Sequence, residues 1–126
     1  MTRAAEGAPR VLVVDADPAL LGLLEEWFEE QGLSVVADGT DEAAGNAFDL
    51  AVVDVPFPRQ GGLCLLQRVA ERHPRVPILA LSSNFFAGIA DTGVVARALG
   101  VAAALPKPVN RDALLAAVGK LLDVRG

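Results

Sequence analysis

Several side chains in this 126-residue chain are of types that carry out phosphoryl chemistry together, and each stands where an apolar run stops. Asp15 and Asp17 follow residues 11–14, Asp54 follows residues 50–53, Ser82 follows residues 76–81, and Lys107 comes just after residues 101–105. Clustered carboxylates hold a hard cation such as Mg²⁺ through oxygen. A carboxylate assisted in this way can attack a phosphoryl group, while an ammonium and a hydroxyl stabilise the phosphoryl oxygens. The residue types therefore point to aspartyl-phosphate chemistry centred on Asp54.

The apolar runs are rich in aliphatic and β-branched residues and are bounded by turn residues, the pattern of buried strands in a parallel sheet. Helical stretches separate them. Pro18 opens the first with Asp17 as its cap, Leu20, Leu21, Leu24, Trp27 and Phe28 recur at helical spacing, and Gly32 stops it. Glu25, Glu26, Glu29 and Glu30 mark its wet side. A strand over residues 33–37 leads to a short helix over 41–47, weakened by Gly45 and Asn46. Gly61 and Gly62 open a helix that turns Leu63, Leu65, Leu66 and Val69 inward, with Cys64 as packing and His73 as a solvated helix end. A long loop holding Phe85 and Phe86 precedes a helix over 92–99 that Gly100 ends, and Asn110 caps a last helix built on Leu114, Leu115, Val118, Leu121 and Leu122.

Strands alternating with helices give an α/β, flavodoxin-like (βα)5 fold with a doubly wound parallel sheet. Strand order 2-1-3-4-5 brings the carboxyl ends carrying Asp15, Asp17, Asp54, Ser82 and Lys107 into one pocket. Residues 1–9 lack periodicity and read as a flexible N-terminal tail before a single domain over 10–124.

Bulk properties narrow the partners. With 52% hydrophobic residues the chain can bury a full core, and a net charge of −5 speaks against direct contact with nucleic acid or an anionic membrane. A single cysteine excludes an internal disulfide, and no apolar segment reads as a leader or a membrane span, so a cytoplasmic location is expected.

The motifs containing Asp15 and Pro18, Asp49 and Asp54, Pro58 and Gly62, Ser82 and Ser83, and Lys107 and Pro108 occur in an order that resembles the receiver domain of bacterial response regulators in two-component signalling. The resemblance covers essentially residues 10–124. It implies that Asp54 is the phosphoacceptor, Ser82 the switch hydroxyl and Lys107 the phosphoryl-contacting lysine. Asp15 and Asp54 would belong to a Mg²⁺ site to which Pro56 offers its backbone carbonyl. It also implies a sensor histidine kinase or another signalling protein as partner, and a signal leaving through the fourth helix, fifth strand and fifth helix. A second copy of the chain is a further candidate partner, suggested by the apolar character of Val94, Val95, Leu99, Val101 and Ala102.

Two positions depart from the family pattern. Ala16 stands where the family carries a second acid, often a direct metal ligand, with Asp17 as the one nearby residue able to compensate. Ala104 stands where the family carries the Tyr or Phe that responds to the hydroxyl loop, and the chain has no tyrosine. The ring of Phe85 or Phe86 is a candidate to fill the space beside Ala104. These departures favour an atypical receiver, a pseudo-receiver with weak or absent Mg²⁺-dependent phosphorylation that signals through protein contacts. An orthodox phosphorylation-dependent receiver is the alternative. A small aspartyl-phosphate hydrolase is a remote one, since the chain has no room for a covering cap domain, and no enzymatic turnover is expected.

Overall fold

The computed structural model describes residues 9–38, 48–55, 63–82, 100–106 and 109–125, with the backbone alone at 63, 82, 106 and 123–125. Runs of Val, Leu, Ile and Ala form β1 (Arg10–Val14), β2 (Ser34–Ala37), β3 (Leu50–Asp54), β4 (Ile78–Ser82) and β5 (Ala103–Pro106). All four pairings are parallel and the order is β2-β1-β3-β4-β5, a flavodoxin-like sheet. The helices described are α1 (Pro18–Glu30), α2 (Leu63–Arg72) and α3 (Arg111–Arg125).

Strand alternation divides the core between the two sides of the sheet. Leu12 and Val14 of β1, Ala51 and Val53 of β3, and Ile78 and Ala80 of β4 pack with Leu66 and Val69 of α2. Val11, Val13, Leu50, Val52, Leu79 and Leu81 pack on the other side with Leu20, Leu24 and Phe28 of α1 and Leu114 and Val118 of α3. Leu24 and Phe28 are fully enclosed, and each such side chain contributes roughly 1.5–3 kcal/mol relative to exposure. Both faces of β3 are therefore covered, which explains its unbroken run of buried residues.

The helix ends follow their residues. Asp17 caps α1, and Pro18 stands at its start, where no backbone N–H is required. At the other end Gly32 adopts φ +79°, and the Leu33 N–H donates to the Phe28 carbonyl at 3.0 Å. Asn110 Oδ1 accepts from the Ala113 N–H at 2.9 Å and caps α3.

Strand bounds shift slightly from those expected. Val76 donates its N–H to the His73 carbonyl at 3.1 Å in a turn, so β4 starts at Ile78 rather than before it. β5 extends to Pro106, which an edge strand tolerates because its outer side has no ladder to complete.

Other expectations are corrected by packing. His73 is not simply solvated: it is half-buried and meets Phe48 edge-on, with ring centroids 5.6 Å apart at 82°. Cys64 is exposed on α2 instead of serving as packing. In keeping with its place in the helical pattern, Trp27 packs half-buried against the core on the α1 side, while Ala102, of the apolar set considered for a second copy, is exposed. The helices expected over 41–47 and 92–99 lie outside the described residues, as do Phe85, Phe86, Val94, Val95 and Leu99.

Candidate functional site

Asp54 ends β3, the central strand, and is 8% exposed, the charged side chain that the described core contains. Its strand neighbours place it. Val53 stands opposite Val14 of β1, so Asp54 and Asp15 each come one residue after a register pair and leave the sheet at the same level. On the other side Asp54 pairs with Leu81, and Ser82 follows Leu81 as the last residue of β4. Ser82 in turn stands opposite Pro106, the residue before Lys107. Topology thus gathers the ends of β1, β3, β4 and β5 along one edge. The Ser82 side chain, Lys107 and Pro56 lie outside the described residues.

Asp15 adopts φ +65°, the left-handed conformation, which Asp and Asn enter more readily than other side chains with a Cβ. It is exposed, whereas Asp54 is enclosed. Burial of a carboxylate calls for partners, and among the described residues no buried side-chain polar atom lacks a hydrogen bond.

Asp17 does not join these acids. Its Oδ1 accepts from the Leu20 N–H at 2.8 Å, so its carboxylate is engaged at the first turn of α1. Ala16, between the two acids, is half-buried and packs against the α1 side of the core. Among the described residues, no three His, Cys, Asp or Glu side chains are grouped so as to hold a metal ion. Of the residues that the resemblance implies for Mg²⁺, those described are Asp15 and Asp54. A methyl group replaces the third carboxylate, and the next acid is turned to a cap. This set does not fit the three-acid pattern.

A feature that the spacing of residues did not reveal is a cleft of about 300 Å³ beside Asp15 and Ala16. Asp38 enters it from the end of β2 and Arg68 from α2, together with the apolar Val14, Leu21, Ala37 and Leu65. The available signal for Asp38 was its place at the end of β2, the neighbour of β1. For Arg68 it was the position one turn beyond Leu65.

Ala104 is 2% exposed and belongs to the core on the α2 side, opposite Ala80 of β4. It lies inside the sheet's packing and has no ring to reorient.

A doubly wound sheet of this order, with a buried aspartate ending its central strand and a second acid just after the adjacent one, is the arrangement of the receiver class of signalling domain. Residues 11–119 match the response regulator receiver domain, and the chain belongs to that family, the receivers of two-component signalling. It is 34% identical over 106 residues to the Regulator of RpoS of Escherichia coli K12, covering 80% of this chain and 31% of that protein. It is 30% identical over 117 residues to the transcriptional regulatory protein CpxR of the same organism, covering 90% of this chain and 49% of that protein. The chain therefore spans between about a third and a half of these two relatives. A CheY-like receiver domain protein from Methanospirillum hungatei superposes with a TM-score of 0.72 at 26% identity, covering 92% of this chain and 94% of that one. No described helix is long and apolar enough to cross a membrane.

Proposed function

We propose that this chain is an atypical receiver in which Asp54 occupies the phosphoacceptor position while Mg²⁺-dependent phosphorylation is weak or absent, and that it signals through protein–protein contact. The observation that carries this reading is the engagement of Asp17 at the Leu20 amide, which removes the nearest acid along the chain as a substitute for the missing carboxylate at Ala16. Two unit charges about 4 Å apart interact by roughly 4 kcal/mol at an effective dielectric near 20, before desolvation is subtracted. Loss of one acid from a hard-cation site is therefore a large change. The enclosed Ala104 supports the same reading from the side of the response, since an alanine has no rotamer with which to report a modified Asp54.

In phosphoryl transfer an Asp54 carboxylate oxygen would form a bond to phosphorus as the bond from phosphorus to the donor's leaving group breaks. Ser82 and Lys107 would contact the phosphoryl oxygens. A sensor histidine kinase would be the donor, and a longer protein or a separate partner would take the output. The relatives named above are regulators, which agrees with a signalling role and not with turnover of a substrate. The orthodox alternative draws on the burial of Asp54 at the end of the central strand, the place where an acceptor belongs.

Incubation with Mg²⁺ and acetyl phosphate separates the two readings by mass. The atypical reading expects little or no added phosphoryl group. Stoichiometric labelling that disappears in Asp54→Asn would overturn it in favour of the orthodox one.

A further inference from the structure

Arg68 stands on α2 and lines the same cleft as Asp15, Ala16 and Asp38. A guanidinium brings a positive charge and donors only, with no acceptor to offer a cation. Among the described residues, the cleft presents the Asp15 and Asp38 carboxylates and the Arg68 cation to an approaching ion, against walls formed by Val14, Leu21, Ala37 and Leu65. Hard divalent cations dehydrate reluctantly, and their affinity follows the charge of the ligand set. A cation held nearby opposes them through the same field.

We infer that Arg68 is an electrostatic barrier to divalent cations at the β1 acid, supplying from within the chain part of the positive charge that a metal would bring to Asp15. The inference rests on the reading of Ala16 as a lost ligand and deepens it, because a missing carboxylate and an internal cation then act on the same ion. Asp54 does not line this cleft, and Arg68 is exposed, so its influence acts through space and is subject to screening by salt. A unit charge facing a divalent ion across roughly 8 Å of watery dielectric alters binding by about fivefold.

The test uses Mn²⁺, an oxygen-seeking paramagnetic ion, and follows broadening of the Asp15 and Ala16 amide signals by NMR. The proteins compared are the wild type, Arg68→Gln, Arg68→Lys and Ala16→Asp, at low salt and at about 0.15 M salt, where the screening length is about 8 Å. Arg68→Gln is expected to reach half-broadening at about fivefold lower Mn²⁺ than the wild type. Arg68→Lys should match the wild type, and the gain should narrow at the higher salt. An unchanged midpoint in Arg68→Gln, a gain indifferent to salt, or Arg68→Lys behaving like Arg68→Gln would each overturn the barrier. Wild-type broadening as tight as that of Ala16→Asp would instead sink the lost-ligand reading and leave the Arg68 comparison standing. Because Arg68 is exposed, unchanged amide positions away from the cleft verify that its variants keep the fold.

Discussion

The Asp17 carboxylate accepts a hydrogen bond from the Leu20 amide at 2.8 Å and so ties the acidic loop after β1 to the start of α1. A side chain held there caps the helix and is not a reserve metal ligand. Asp17→Ala should therefore lower unfolding free energy by about 1 kcal/mol, and Asp17→Ser should restore most of it. Urea denaturation measures both. Mg²⁺ affinity should be the same in Asp17→Ala and the wild type, and a marked loss would return Asp17 to the metal site.

Ala16 lies between the two acids and lines the cleft. Ala16→Asp should tighten Mg²⁺ binding about tenfold or more, a modest part of the direct Coulomb gain once desolvation is subtracted. Titration followed by calorimetry or NMR reads the change. No gain would mean that the pocket differs from its relatives for a reason other than the missing carboxylate.

Ala104 is enclosed opposite Ala80, where extra volume has no ready place. Ala104→Tyr should destabilise the fold by about 1–3 kcal/mol, the usual range for overpacking. A neutral effect in urea denaturation would show that the position opens outward and can accommodate a movable ring after all.

Gly32 terminates α1 at φ +79°, and a Cβ added there would meet nothing within 4 Å. The cost of Gly32→Ala is thus conformational, not steric, and should be about 1 kcal/mol. Gly32→Asn should cost less, since Asn enters the left-handed region more readily. Thermal unfolding of the two variants gives the comparison.

Much of this architecture was legible because the local signals agree with one another. Asp17 before Pro18 reads as a cap, Gly32 as a stop, and the run ending at Asp54 as a strand covered on both sides, and the structure has all three. Periodicity resolves which side of a helix faces the core but not what a neighbouring connection brings to its end. For that reason His73 read as solvated, although it meets Phe48, a residue that precedes β3. Cys64, flanked by leucines whose spacing predicts an inward face, falls on the outer side of α2. The cleft arises where α2 passes the ends of β1 and β2, so Asp38 and Arg68 acquire a shared environment only through the tertiary fold.

The backbone N–H of Arg10 donates to Asp49 Oδ2 at 2.9 Å, the Asp49 N–H returns a bond to the Arg10 carbonyl at 2.8 Å, and the Ser34 N–H donates to the Pro9 carbonyl at 3.0 Å. These bonds stitch the amino ends of three strands, the side of the sheet away from Asp54. β1 is an interior strand, held by β2 on one flank and β3 on the other. A protease cut or a deletion reaching past Pro9 would consequently not peel a strand from the margin. It would split the sheet in two, which makes the first strand a poor place to trim the molecule for engineering.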